Sequence, residues 1–324
     1  MNKQQHINNI NRLAAKQTPF IFIIDFLGNK AVIQELNKTD SNEILFSVNG
    51  INNISQNKTA PTPAPLAFKK FPISIKEYEK SFTIVKENLK QGNSYLTNLT
   101  CKTPIETNIS LKEIFYRSKA PYKLWYKNQF VVFSPEIFVK TANGKIFSYP
   151  MKGTIDAKVH NAEKTILNNK KETAEHATIV DLIRNDLSRI ATDVQVDRYR
   201  YIDKIKTNEN ELLQVSSQIS GNLPDNYHKN LGNIIFELLP AGSISGAPKY
   251  KTIEIINKAE NYKRSFYTGI FGIFDGKELD SCVMIRFIEN SNGQLFFKSG
   301  GGITVNSNMQ DEYNEMIQKV YLPI

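Results

Sequence analysis

Hydrophobic positions fall into short runs and helical stripes spread along the whole chain. Residues 20–26 read as a strand, followed by a turn at Gly28 and Asn29 and by further strands over 31–36 and 44–48. In the stretch 57–72, Pro61, Pro63 and Pro65 stand at alternate positions, which excludes both a helix and a central strand. Residues 1–72 therefore read as a short N-terminal β portion with a proline-rich connector, and 73–324 as the main body. There Tyr78, Phe82, Val85 and Leu89 recur at helical spacing, with Gly92 placed to end the helix.

Strand-like segments follow at 95–100, 122–126, 130–133 and 145–149, then helices over 172–187, 231–239 and 247–259. Strands return at 267–274, 279–288 and 294–298, and a last helix covers 310–320. Hairpin-like pairs and long helices without regular βαβ alternation predict an α+β fold with largely antiparallel sheet.

Composition narrows the function classes. Hydrophobic residues make up 40% and charged residues 23%, which excludes disorder or a fibrous repeat for the bulk of the chain. The longest apolar run, residues 20–24, is too short to span a bilayer, and residues 1–11 lack the apolar core of a signal peptide. A cytoplasmic protein with no membrane role is expected. Cys101 and Cys282 are the two cysteines, so neither a disulfide framework nor a cysteine-rich zinc module can form. The net charge of +9 comes without any run of five like charges, so it reads first as an excess spread over surface helices; nucleic acid and a small anionic substrate are the other two readings.

Glu172 and Glu175 lie three apart on a predicted helix, and Glu312 and Glu315 repeat the spacing on the last one. If the helices meet, four carboxylates make an oxygen-rich site for a hard cation such as Mg²⁺; alone, each pair reads as a solvated helix face. Gly300, Gly301 and Gly302 read either as backbone left open to an anion or as a flexible hairpin turn after strand 294–298. The loop 240–249 enters a helix near Pro248 and could hold a carboxylate at the helix start, or serve as a capped turn. Lys152 follows a strand between Pro150 and Gly153, and Glu136 begins the preceding strand, so the two can face one cleft. Arg286 lies within the apolar strand 279–288, where an inward charge needs a partner such as a bound carboxylate, unless it is simply an edge-strand arginine. No Walker loop, dinucleotide fingerprint or zinc-ligand spacing is present.

In order, these segments resemble the chorismate-utilising enzymes, the family of anthranilate, aminodeoxychorismate, isochorismate and salicylate synthases. The resemblance covers residues 74–320. It rests on Gly92-Asn93-Ser94-Tyr95, Ser134-Pro135-Glu136, residues 149–154, and Glu175-His176 with residues 180–186. Residues 242–249, Tyr267-Thr268-Gly269, Ile285-Arg286, residues 300–304, and Glu312-Tyr313-Asn314-Glu315 with Lys319 complete it.

The resemblance implies a large sandwich of mostly antiparallel sheets with flanking helices and a central active-site cleft. It implies Mg²⁺ held by Glu175 and Glu315, with Glu172 and Glu312 assisting, gripping the ring carboxylate of chorismate. Arg286 and Tyr267 match positions for the enolpyruvyl carboxylate; Lys319, Thr154, Ser245 and the backbone of Gly300, Gly301 and Gly302 match substrate contacts; Glu136 matches a general acid at the 4-hydroxyl. Lysine at position 152 is the mark of the aminodeoxychorismate branch, where it attacks C2 before ammonia enters at C4. Ammonia would come from a separate glutamine amidotransferase subunit, and the product would feed 4-aminobenzoate and folate.

A free lysine is neutral in only about one molecule in two thousand near pH 7, so an apolar wall and a nearby cation are expected around Lys152. Leu96 and Gln214 depart from the family pattern: a lysine base after the tyrosine and a histidine, respectively, are absent. The alternatives carried forward are anthranilate synthase component I and a non-catalytic chorismate-binding subunit.

Overall fold

The computed structural model describes residues 2–55, 65–206 and 211–324, so residues 57–64 of the proline-rich stretch lie outside the described residues. Two nine-stranded sheets, with every pairing antiparallel, lie face to face. The first runs Met151–Asp156, Glu211–Asn222, Lys145–Ser148, Ile137–Ala142, Leu279–Val283, Ile270–Phe274, Phe20–Ile24, Ala31–Glu35, with Thr192–Lys206 beside Glu211–Asn222. The second runs Gly246–Ala247, Leu96–Thr107, Gln294–Ile303, Phe287–Ser291, Phe130–Ser134, Tyr122–Tyr126, Ile44–Val48, Ile51–Asn52, with Phe68–Lys70 beside Leu96–Thr107.

The strand Phe20–Ile24 shows why the layers stack. All five of its residues are buried, and successive side chains leave on opposite faces. Ile21 and Ile23 join Ile44, Phe46, Leu124, Val132 and Phe287 of the second sheet in the core between the layers. Phe20, Phe22 and Ile24 pack outward beneath the helices Lys3–Ala15, Lys170–Ser188 and Leu231–Glu237. The N-terminal strands are thus woven into both layers: Phe20 pairs with Phe274, and Ile44 with Tyr126.

The helix Ile75–Lys90 buries Tyr78, Phe82, Val85 and Leu89 and lies with Lys249–Ala259 and Met309–Gln318 over Leu99, Cys101 and Ile303. Its start is a capping box, in which Ser74 accepts from Glu77 N–H and Glu77 accepts from Ser74 N–H. Ser74→Ala is expected to cost about 1 kcal/mol, measurable by urea unfolding, with an unchanged m-value.

Two expectations are corrected here. The segment 279–288 is not one strand: Val283 still pairs with Ile270 in the first sheet, whereas Phe287 pairs with Lys298 and Val132 in the second. The chain crosses between layers at residues 284–286, and Arg286 takes a left-handed backbone (φ 53°) at the crossing. Nor do Gly300, Gly301 and Gly302 follow the strand as a turn. They lie inside Gln294–Ile303, opposite Thr100, Leu99 and Asn98.

Candidate active site

A cavity of about 580 Å³ is lined by the crossing at Arg286, the glycine strand, the strand Met151–Asp156 and the helices Lys170–Ser188 and Met309–Gln318. Asn169 caps the first helix by accepting from Glu172 N–H, and Asn308 caps the second by accepting from Gln310 and Asp311 N–H. These caps fix where each helix begins. Glu172, Glu175, Glu312 and Glu315 all line it, so tertiary packing joins the two sequence pairs into one cluster.

Glycine is what lets the helices close in. A Cβ on Gly301 would sit 3.2 Å from Glu315 Oε1 and 3.4 Å from Glu312 Oε2. At Gly153, where φ is +78°, a Cβ would sit 3.4 Å from Glu172 Oε2.

Lys152 Nζ donates to Glu175 Oε2 at 2.8 Å, and Lys319 Nζ donates to Glu315 Oε1 at 2.6 Å and to the Gly300 carbonyl at 2.8 Å. Lys171 Nζ lies 3.5 Å from Glu312 Oε1 and 3.9 Å from Glu175 Oε1. Burial, reinforced by the charges of Glu175 and Glu315, pushes Glu172 above the ordinary carboxylate range despite Lys152 and Lys171. Glu312 is raised in the same way by burial and by Glu315, against a hydrogen bond from Ser307. Burial also presses on Glu315, but Lys319 outweighs it and holds that carboxyl down.

The neutralising surroundings expected for Lys152 are not those found. Burial favours the amine, but Glu175, then Glu172 and Glu315, outweigh it and hold the ammonium above the ordinary lysine value. The cluster contains more carboxylates than its lysines pair, and Glu175 Oε1 is buried without a hydrogen-bond partner. Among the described residues, no three His, Cys, Asp or Glu side chains are already gathered as a metal cage. The donor set is nonetheless all oxygen and anionic, and with that orphaned acceptor it fits a hard divalent cation.

Glu136 enters the cavity just ahead of the strand Ile137–Ala142. Burial raises its carboxyl above the ordinary range, against a 2.6 Å hydrogen bond from Ser243 and the charges of Arg286, Lys319 and Lys152. Within the loop 240–249 the sequence pattern points to Ser245 and carries no signal that marks Ser243. In the structure Ser245 is fully buried, donates to the Ala241 carbonyl and is not among the residues lining the cavity. The loop forms the single turn Gly242–Ser245, and Pro248 stands at the N-cap of the helix Lys249–Ala259 without a side-chain capping hydrogen bond. Arg264, itself buried against Glu260, secures the turn by donating to the carbonyls of Ile244 and Asn98.

The hydrogen bond from Ser243 favours ionised Glu136, so Ser243→Ala is expected to raise that carboxyl further. If the protonated form is needed, the basic limb of a kcat/KM–pH profile moves to higher pH. A limb that stays in place or moves down would separate Ser243 from the titration of Glu136.

Tyr267 and Arg286 line the same cavity. Burial keeps the Tyr267 phenol well above its ordinary value, so it is a neutral hydroxyl. Arg286 Nε approaches Tyr321 Oη at 3.4 Å, and its guanidinium lies over the Tyr321 ring. Thr154 lines the cavity from an exposed position 3.5 Å from Gln214, and Gln214 and Leu96 also line it. His176, next to Glu175, faces away, with Nε2 2.7 Å from Ser217 Oγ; burial, aided by Arg200 and Lys152, lowers it to about 4.

Comparison with known proteins adds a family. A family model described as chorismate binding enzyme matches residues 13–323. A PabA-like protein of Haemophilus influenzae is 51% identical over 99% of this chain and 97% of its own. Aminodeoxychorismate synthase component 1 of Salmonella typhimurium is 32% identical over 75% of this chain and 56% of that protein, so the chain spans about half of it. Among solved structures, anthranilate synthase component I from Streptococcus pneumoniae superposes with a TM-score of 0.66 at 27% identity, over 79% of this chain and 59% of that one.

Proposed function

Because this chain belongs to the chorismate-binding enzyme family, we propose that it is component I of an aminodeoxychorismate synthase, exchanging the 4-hydroxyl of chorismate for an amino group. The observation that carries the reading is the amine of Lys152, 2.8 Å from Glu175 inside the carboxylate cluster and in the same cavity as Glu136.

In this reading Glu175 and Glu315, with Glu172 and Glu312 beside them, hold Mg²⁺, which when bound supplies electrostatic attraction for the ring carboxylate. Tyr267 donates its neutral hydroxyl to the enolpyruvyl carboxylate, and Arg286 adds a fixed charge. Lys319 and the glycine strand border the substrate on the other side.

Lys152, having lost a proton, bonds to C2; the ring double bond shifts and the bond from C4 to its hydroxyl breaks. Glu136, held protonated by burial, gives its proton to the departing hydroxyl, which leaves as water. Ammonia then adds at C4, the lysine leaves C2 as the free amine, and the proton lost by the new ammonium restores Glu136, so chorismate and ammonia become 4-amino-4-deoxychorismate and water. The Salmonella relative is named as component 1, which supports a second subunit that supplies ammonia, proposed here to be a glutamine amidotransferase.

The test is one reaction with chorismate, a magnesium salt and an ammonium salt, its product identified by mass. The reading expects a product that retains the enolpyruvyl group and has exchanged hydroxyl for amine. Loss of pyruvate would assign the anthranilate reaction instead. Unchanged chorismate would leave a binding subunit.

A further inference from the structure

The helix Lys170–Ser188 brings a third lysine to the carboxylate cluster beside Lys152 and Lys319, one with no part in the steps above. Lys171 Nζ bridges the two helices, 3.5 Å from Glu312 Oε1 and 3.9 Å from Glu175 Oε1. Its side chain is 46% exposed, whereas those of Glu175 and Glu312 are 10% and 3% exposed. The ammonium therefore reaches in from solvent over two nearly buried anions. One of them, Glu175, presents the oxygen that lacks a hydrogen-bond partner.

Helix stability does not explain this lysine. It stands in the first turn, where the helix dipole disfavours a cation. Lysine four residues before glutamate is also the weaker order for a helical pair. What the position does provide is positive charge between carboxylates from separate helices that otherwise repel one another.

We infer that Lys171 is a displaceable counter-ion. It neutralises Glu175 and Glu312 while no divalent cation is bound, and it yields that place when one binds. The lysine thereby holds the two helices together in the empty site and sets the concentration at which the cation loads. The inference rests on the carboxylate cluster being a Mg²⁺ site, and the test separates the two.

The probe is Mg²⁺ alone, without substrate, titrated by calorimetry at constant ionic strength into the wild-type protein, Lys171→Met and Lys171→Arg. Melting temperatures are recorded with and without the ion. Lys171→Met is expected to bind Mg²⁺ roughly tenfold more tightly, because the cation no longer competes with a charge about 4 Å from the same oxygens. It should also melt lower than wild type without Mg²⁺ and recover at saturation, whereas Lys171→Arg should behave as wild type. If wild type binds Mg²⁺ and Lys171→Met binds it equally or more weakly, the counter-ion role is overturned and the metal site stands. If none of the three proteins binds Mg²⁺, both readings fall together.

Discussion

Lys152→Ala is expected to lower turnover about a thousandfold or more, roughly 4 kcal/mol of transition-state stabilisation, while chorismate still binds. The size follows from what is removed: if the amine forms the bond to C2, no neighbouring group replaces it. Lys152 also forms a 2.8 Å ion pair with Glu175, so an electrostatic role has to be separated from a covalent one. Lys152→Arg does this, because the guanidinium retains the charge but is not a nucleophile near neutral pH. Steady-state kinetics and equilibrium binding of both variants make the measurement. Two equally inactive proteins support the covalent route; activity restored by arginine, or unchanged in Lys152→Ala, excludes it.

Glu136→Gln is expected to cost 10²- to 10⁴-fold in kcat, the usual range for a positioned acid. Glutamine matches the shape and can still accept from Ser243, but it carries no transferable proton. The sign of the pH effect follows from burial, which raises this carboxyl. The wild-type enzyme retains the acid form above the usual carboxylate range and loses activity as pH rises through the raised value. In Glu136→Gln that limb should vanish from the kcat–pH profile. A variant that retains both its rate and the limb would move the acid elsewhere.

Much of the framework was readable because its signals are local. The stripe Tyr78, Phe82, Val85, Leu89 is buried as its spacing predicts, and the two glutamate pairs lie on helices with asparagine caps. The N-terminal helix Lys3–Ala15 was legible in principle, since Ile7, Ile10, Leu13 and Ala14 form its buried stripe. That stripe is diluted by asparagine and glutamine, and it becomes a face only against the helix Leu231–Glu237. Lys171 sits four residues before Glu175, but nothing local shows that Glu312 lies on its other side.

By itself, then, the sequence determined the helical faces, the antiparallel character of the sheets and the residue types available to a site. Periodicity, caps and turn residues act over a few positions and need no distant partner. Only the tertiary structure decided which of those residues meet. Ser243 reaches Glu136 across 107 positions, and Lys171 reaches Glu312 across 141. The break at residues 284–286 has the same origin, because Leu279–Val283 is held between Ile137–Ala142 and Ile270–Phe274 in one sheet, and Phe287–Ser291 between Gln294–Ile303 and Phe130–Ser134 in the other. Such pairings arise from the stacking of two whole layers, and no window along the chain contains that information.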